Sequence, residues 1–252
     1  MQRLQENAWR HSAIFNPEVS MKRMLSIICG VLVSCSFAGL NPGEKSIVRE
    51  VLDSAGMTTA SEEDVVQTDD DGWVTALNLD NTSSEQHSMF MLASVVDKLK
   101  RLTDLSLKNN SLDSLPATLQ HLTGLTRLDI QNNALTELPA WIGKLKKLTD
   151  LDVRYNKLME LPSGLFLCAN LRVLKVWGNQ LKTIPDEIGK LASIKELYLS
   201  HNKLVDLPVS ITKIKSLRYL DITDNQLCTP MPIIAEWLAK WDDKWKEKQK
   251  CR

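Results

Sequence analysis

The chain has 252 residues, with 31 Lys and Arg balanced by 31 Asp and Glu, so its formal net charge is zero. Hydrophobic residues make up 43% of it and charged residues 25%, a composition typical of folded globular proteins rather than of disordered segments. No basic stripe interrupts this balance in the second half of the chain, which argues against a nucleic-acid partner.

The N-terminal residues carry the features of an export signal. Lys22 and Arg23 precede an apolar run over residues 24–33, and small residues follow, as in a secretory signal peptide. The sequence therefore predicts a signal peptide over residues 21–38, with Met21 as the true start and residues 1–20 as an overcalled gene start. A buried helix or a membrane anchor is the alternative, but the run is short for a membrane span.

Two cleavage sites compete in this region. Residues 32–35 resemble a bacterial lipoprotein box, which would leave Cys35 lipidated, whereas residues 36–38 fit ordinary cleavage before Gly39. A helix predicted to begin at Asn41 leaves only a short tether after Cys35, and this favours free secretion. A membrane is thus expected as a partner only if Cys35 carries a lipid.

Residues 39–76 are predicted to form an N-terminal helical cap. Pro42 at the first helical position, Glu44 in capping-box register and an apolar stripe predict a helix over residues 42–55. The segment Asp69-Asp70-Asp71-Gly72 lacks the spacing of a calcium-binding loop. It therefore predicts a turn into a strand over residues 73–79.

Residues 77–227 are predicted to form the repeats of a solenoid. Asparagines recur every 23 residues at Asn110, Asn133, Asn156, Asn179, Asn202 and Asn225. Strand-like alternation of leucines precedes each asparagine, and a proline follows at the same interval, where it prevents the return limb from continuing as a strand. One unit buries too little apolar surface to offset its conformational entropy, so the units must stack.

The unit reads L-x-x-L-x-L-x-x-N-x-L-x-x-L-P-x-x-I/L. It resembles the leucine-rich-repeat family in its 23-residue form, and with the signal region it is similar to bacterial secreted and surface proteins of that family. The resemblance implies an α/β solenoid: a curved horseshoe with parallel strands on its concave face and a helical cap at each end. It also implies that the asparagines bond to the backbone of the adjacent turn.

The first repeat is predicted to be irregular. Leu77 and Leu105 are 28 residues apart, five more than the period. The surplus falls within residues 82–100, where apolar residues have helical spacing, so a helix is predicted in place of the short return limb. Variation in a terminal repeat is what capping requires.

Residues 228–252 are predicted to form a C-terminal cap helix. Trp237, Trp241 and Trp245 follow one another at intervals of four residues, which places them on one helical face. This pattern favours a lid that closes the last repeat; the alternative is an amphipathic helix that binds a partner or a membrane. Cys228 and Cys251 flank the lid and are expected to form a disulfide in an exported protein.

The remaining residues show no catalytic or metal-binding pattern. The four histidines are scattered, and neither a glycine-rich phosphate loop nor a Gly-x-Ser-x-Gly turn is present. Cys168 replaces a repeat leucine and is expected in the core. His201 and Asp224 occupy equivalent positions in adjacent repeats and predict a surface hydrogen bond. The sequence thus predicts no enzyme, no cofactor and no metal.

The outward positions of the strands are the candidate binding residues. All three tyrosines of the chain fall on these positions, and with Trp177 they occupy four consecutive repeats, whereas the other repeats show small or charged residues there. Aromatic and arginine side chains with polar neighbours are typical of binding hot spots, although strands favour aromatics in general. The predicted partner-binding residues are Asp152, Arg154, Tyr155, Lys175, Trp177, Tyr198, His201 and Tyr219.

These observations favour an exported, monomeric, non-enzymatic module that binds a protein or peptide on its concave face. The first alternative is an intracellular scaffold, because such repeats are also similar to those of Ras-pathway scaffold proteins; the signal region and the cysteine pair argue against it. The second is a glycan-binding or glycan-active protein. It lacks a cleft with paired carboxylates, although Asp129 and Asp152 are neighbours in one column.

Overall fold

The strands of the protein form one continuous ladder. The computed structural model describes residues 39–54, 65–82, 96 and 98–251. Helix α1 (Pro42–Ser54) comes first, followed by β1 (Val66–Thr68) and β2 (Val74–Asn78). Six three-residue strands follow: β3 (Asp104–Ser106), β4 (Arg127–Asp129), β5 (Asp150–Asp152), β6 (Val173–Lys175), β7 (Glu196–Tyr198) and β8 (Tyr219–Asp221).

The eight strands lie side by side in chain order. The first pair, β1 and β2, is antiparallel, and every later pair is parallel. Leu77 of β2 pairs with Leu105 of β3, so the first repeat is in register with the others despite its extra residues. This confirms the stacked repeats that the period predicts. The antiparallel β1 was not predicted.

Each repeat turns out of the sheet at a residue in the left-handed conformation. These residues have φ between 52° and 70°: Asn81, Asn109, Asn132, Tyr155, Gly178, His201 and Asp224. The return limbs are 3-10 helices that begin directly after a proline: Ala117–His121, Ala140–Lys144, Ser163–Leu167, Asp186–Lys190 and Val209–Lys213. Proline therefore ends the extended backbone, as predicted.

The buried asparagines form the predicted ladder between repeats. The side-chain amide of Asn179 donates to the carbonyl oxygens of Val153 (3.0 Å) and Val176 (2.9 Å). Its oxygen accepts the N–H of Leu158 at 3.0 Å. Equivalent bonds recur at the asparagines before and after it. Each asparagine thus joins two turns and satisfies main-chain groups that the turn leaves unpaired.

The apolar positions of the repeats form a single core. Within the repeat that contains β5, Leu148, Leu151, Val153 and Leu158 are fully or almost fully buried. Cys168 is also fully buried, which confirms its predicted place in the core.

At the N-terminal end, α1 confirms the predicted helix, but the predicted capping box is wrong. Asn41 caps the helix by accepting the N–H of Gly43 at 2.9 Å. The Glu44 carboxylate points the other way and accepts the N–H of Val74 at 2.6 Å, which joins α1 to β2. The N–H that a capping box would satisfy, that of Asn41, donates to the carbonyl of Gly72 instead. Tertiary partners therefore replace the local bond.

The turn between β1 and β2 is confirmed. Asp69 accepts the N–H groups of Asp71 (3.1 Å) and Trp73 (2.9 Å), and Gly72 has φ of 78°. A side chain at Gly72 would collide with the backbone of residues 39–41. This turn thus brings the start of the described chain against the sheet.

At the C-terminal end, the predicted single helix through three tryptophans is wrong. Helix α2 (Pro232–Ala239) stops before Trp241, and a separate 3-10 helix covers Trp245–Lys248. The disulfide between Cys228 and Cys251 gives the reason, because it holds their Cα atoms 5.6 Å apart. An unbroken helix rises about 1.5 Å per residue and would carry Cys251 far from Cys228. The chain must therefore reverse.

Several predictions lie outside the described residues. These are the signal peptide, the start at Met21, lipidation at Cys35 and most of the helix expected within residues 82–100. Among the helices that the structure does describe, none is long and apolar enough to cross a membrane.

Candidate partner-binding surface

The register of the sheet places strand residues in columns. In each strand from β3 to β7 the middle residue is buried and the two flanking residues are partly exposed. Asp152, Lys175, Tyr198 and Asp221 are successive partners in one such column. The flanking side chains therefore form the outer face of the sheet, as the alternation predicts.

One group of aromatic side chains centres on Trp177. The ring of Tyr155 contacts it edge-on, with 4.3 Å between centroids, and the His201 ring lies 6.0 Å away on the next repeat. The guanidinium of Arg154 lies 5.4 Å from the Trp177 centroid, within the range of a cation–π contact. Gly178 leaves room for Tyr155, since a Cβ atom there would lie 2.8 Å from its ring.

A second group is formed by two tyrosines. The rings of Tyr198 and Tyr219 have centroids 4.8 Å apart. The Tyr198 hydroxyl donates to Glu196 at 3.0 Å, and the ammonium of Lys175 lies 5.8 Å from the Tyr198 ring. Tyr219 is 47% exposed, as is Tyr155 at 49%, so both groups offer aromatic surface to solvent.

Asp152 connects the two groups. Its carboxylate lies 2.7 Å from Arg154 Nε and 3.7 Å from Lys175 Nζ. All eight residues predicted for the site are therefore linked by direct contacts: Asp152, Arg154, Tyr155, Lys175, Trp177, Tyr198, His201 and Tyr219. We refer to these eight residues as the aromatic surface.

Three further residues support this surface and were absent from the predicted set. Glu196 accepts the Tyr198 hydroxyl, and Asp224 lies 2.8 Å from His201 Nδ1, which confirms the predicted surface hydrogen bond. Lys250 lies 3.4 Å from Asp224. Glu196 and Asp224 occupy outward positions of the repeats, so the repeat pattern could have identified them. Lys250 lies close to Asp224 only because the C-terminal tail reverses direction, and the sequence carries no local signal for that reversal.

Acidic side chains border the aromatic surface on its N-terminal side. Asp129 is paired with Asp152 across β4 and β5. Burial raises the pKa of Asp129, and repulsion from Asp152 raises it further, while hydrogen bonds from Gln131 lower it. Among the described residues, no group of three His, Cys, Asp or Glu side chains is arranged to hold a metal ion.

The tyrosine pair gives one test of this geometry. Burial, followed by the bond to Glu196, raises the pKa of Tyr198 to about 12. An unfolded tyrosine ionises near pH 10, so between about pH 10 and 12 only the folded state keeps this proton. Stability should therefore fall with rising pH across this window, and fall less in Tyr198→Phe. Urea unfolding at a series of pH values measures this. Below about pH 10 the difference in free energy of unfolding between the original protein and Tyr198→Phe should be constant. If the free energy of unfolding falls equally steeply with pH in both proteins above about pH 10, the raised pKa of Tyr198 is contradicted.

Comparison with known families identifies the fold. A family model described as leucine rich repeat matches residues 100–158 and 169–227. The chain is a leucine-rich-repeat protein. Its sheet is accordingly the concave face of a curved horseshoe, and the aromatic surface lies on that face. No curated protein matches this leucine-rich-repeat protein.

Solved structures of 424 chains are similar to it, and three of them are described here. One is the leucine-rich-repeat ectodomain of the plant membrane receptor kinase GASSHO1/SCHENGEN3 from Arabidopsis thaliana in complex with CASPARIAN STRIP INTEGRITY FACTOR 2. It is 35% identical, with 52% of this chain and 16% of that chain covered and a TM-score of 0.49. Another, a leucine-rich-repeat protein of Leptospira interrogans, is 22% identical over 75% of this chain and 60% of its own, with a TM-score of 0.42.

The third is a plant ice-binding protein, 23% identical, with 74% of this chain and 64% of that chain covered and a TM-score of 0.61. At this identity the likeness supports the fold alone. This leucine-rich-repeat protein thus spans between 16% and 64% of the lengths of these three structures.

Proposed function

We propose that this leucine-rich-repeat protein is an exported, monomeric binding module without enzymatic activity, and that its aromatic surface recognises a protein or peptide. The observation that supports this proposal is the pairing of aromatic rings from four consecutive repeats, Tyr155 with Trp177 and Tyr198 with Tyr219. The side chains of Tyr155 and Tyr219 are about half exposed. Exposed, contiguous aromatic area on a soluble protein is typical of an interaction site.

The rings are held in place before a partner arrives. Trp177 is contacted by Tyr155, His201 and Arg154, and Tyr198 is held by its bond to Glu196. Side chains that are already ordered lose less conformational entropy on binding, so more of the burial energy appears as affinity. Tyrosine, tryptophan and arginine are also the residues that dominate measured hot spots.

The size of the surface favours a polypeptide over a small molecule. It extends across four strands, β5 to β8, which at about 4.8 Å per strand spacing is roughly 14 Å. It is an open face of a sheet rather than an enclosed cavity, and its charges alternate in sign, with Asp152 between Arg154 and Lys175. A loop or short segment with apolar side chains and flanking polar groups fits this arrangement.

Two observations support export and the lack of an enzymatic role. The Cys228–Cys251 disulfide is of the kind that persists in oxidising compartments, which disfavours the intracellular scaffold. The His201–Asp224 pair lies on the surface, whereas the free thiol of Cys168 is buried. The His201–Asp224 pair and the Cys168 thiol therefore do not form the exposed nucleophile and adjacent base that nucleophilic catalysis needs.

The test begins with partner capture by the full-length protein from extracellular and envelope fractions, followed by affinity measurement with the purified partner. The variant Trp177→Ala/Tyr198→Ala should bind about 30-fold more weakly, since truncating hot-spot aromatics removes about 2 kcal/mol.

The matched control is Met159→Ala/Leu167→Ala. These side chains are 59% and 55% exposed and lie outside the strands, so the affinity of this variant should stay within about twofold of the original. Circular dichroism establishes that both variants are folded. An unchanged affinity after loss of Trp177 and Tyr198 would reject the proposal.

A further inference from the structure

The outer edge of β8 has unpaired main-chain groups. Tyr219 donates to the carbonyl of Lys195 (3.0 Å), and the carbonyl of Asp221 accepts from Leu199 (2.7 Å), so these residues face β7. Because successive residues of a strand face opposite sides, the N–H and C=O of Leu220 and the N–H of Ile222 face away from the sheet. Within the described residues these three groups have no main-chain partner.

The C-terminal tail closes only one end of this edge. The N–H of Asp224 donates to the carbonyl of Lys248 (2.8 Å), and the N–H of Lys250 donates to the carbonyl of Asn225 (2.7 Å). The tail therefore continues the ladder beyond the strand but not beside Leu220. The N–H of Leu199 is equivalent to that of Ile222 one repeat earlier, and it donates to the carbonyl of Asp221 in the next strand.

Between β8 and the tail lies a groove of about 310 Å³. Its lining combines apolar and polar side chains: Leu220, Ile222, Leu238, Trp241 and Trp245 with Asp221, Thr223, Asp242, Lys248 and Gln249. The Gln249 amide donates to the Ile222 carbonyl at 3.2 Å and leaves the Ile222 N–H free. Leu238 and Trp245 are buried at its base, whereas Trp241 is 37% exposed at its side. An apolar side chain could enter this space while its main chain lies along β8.

We propose that this groove binds an extended segment of a partner polypeptide as a ninth strand of the sheet. The segment would pair its main chain with Leu220 and Ile222 and place an apolar side chain against Trp241. Main-chain groups at strand spacing are complementary to another strand rather than to a compact ligand. Tyr219 lines the groove and also belongs to the aromatic surface, so one partner could contact both, but the groove does not require the aromatic surface to bind anything.

A second copy of this chain is a poorer occupant. Five residues of the tail line the groove opposite β8: Trp241, Asp242, Trp245, Lys248 and Gln249. Another β8 would have to enter together with its own disulfide-held tail. A single extended segment has no such obstruction.

The experiment selects nine-residue peptides from a random phage-displayed library against the full-length protein with its disulfide intact. Counter-selection uses Trp241→Ala, which should weaken binding of the selected peptides about 10-fold or more. Adding a selected peptide should slow exchange of the Leu220 and Ile222 amides about 10-fold or more, as measured by NMR. The Leu197 and Leu199 amides, already within the ladder, are the internal control and should not change.

N-methylation of the peptide tests the strand directly. Methyl groups on alternate residues should abolish binding, whereas methyl groups on the intervening residues should leave it largely intact, because only one edge of the segment pairs with β8. The Tyr155→Ala/Trp177→Ala variant removes two rings of the aromatic surface that do not line the groove. It should still bind these peptides, which separates this proposal from the proposed function. Any of four results would overturn the inference. The selection could yield no Trp241-dependent peptides, or the peptides could leave amide exchange at Leu220 and Ile222 unchanged. N-methylation could have the same effect at every position, or the two amides could be protected by self-association of the protein alone.

Discussion

Replacing Asn179 by alanine is expected to lower the free energy of unfolding by roughly 2 kcal/mol. Asn179 is only 7% exposed and bonds to main-chain groups of two successive turns. Alanine would leave the N–H of Leu158 without this partner in the interior, which costs about 1–3 kcal/mol. The carbonyls of Val153 and Val176 would keep their bonds from the side-chain amides of Asn156 and Asn202. Because stability in a solenoid depends on contacts between neighbouring repeats, the loss weakens the coupling of the whole array.

Urea denaturation followed by circular dichroism measures the effect, with Asn170→Ala as the matched control. Asn170 is exposed and makes one bond, to the carbonyl of Lys146 at 2.8 Å. Its replacement should change stability by less than about 1 kcal/mol. Similar losses in the two variants would show that the buried ladder contributes no more than a surface bond.

Removal of the disulfide should have a comparable effect at one end of the molecule. The bridge closes a segment of 23 residues, and the chain-entropy relation assigns about 3 kcal/mol to a loop of that length. In Cys228→Ser/Cys251→Ser the reversed tail loses its tether, so Trp245 and Leu238, both buried, become easier to expose.

Denaturation of the original protein with and without a phosphine reductant, compared with the double serine variant, measures this contribution. The reductant should destabilise the original protein and leave the variant unchanged. Amide exchange should accelerate first at Asp224 and Lys250, which bond the tail to the last turn. Equal stability with and without the bridge would indicate that packing alone holds the tail.

The repetitive part of the fold could be predicted from the sequence because every repeat meets the same neighbours. A 23-residue period aligns Leu151 with Leu174 and Leu197, and the structure pairs these residues in register. The same 23-residue alignment predicted the ladder of buried asparagines and the outward-facing residues of the strands. A single strand would not have been enough, since three residues carry little periodicity of their own.

The ends of the solenoid could not be predicted in the same way, because their contacts are made once. Glu44 is three residues from Asn41, which favours a local bond, yet the turn at Gly72 brings Val74 within its reach. Likewise, the spacing of Trp237, Trp241 and Trp245 is helical, but the disulfide at Cys251 reverses the chain.

The composition of the aromatic surface was predictable, but its internal contacts were not. Columns bring Tyr198 and Tyr219 to adjacent strands by register alone. The hydrogen bond from Tyr198 to Glu196 and the packing of the Tyr155 ring against Gly178 depend on side-chain rotamers. The position of a residue in the repeat does not specify its rotamer. Lys250 reaches Asp224 only because the tail folds back.

The backbone at Tyr155 has a consequence of its own. It has φ of 52° at a position filled elsewhere by asparagine, aspartate, histidine or glycine. A bulky L-residue in this conformation is strained by about 1 kcal/mol, which short polar side chains and glycine largely avoid. Folding alone would favour asparagine there, as in the three earlier repeats. The strained tyrosine rests on Trp177, and its retention there is consistent with the partner binding proposed for the aromatic surface.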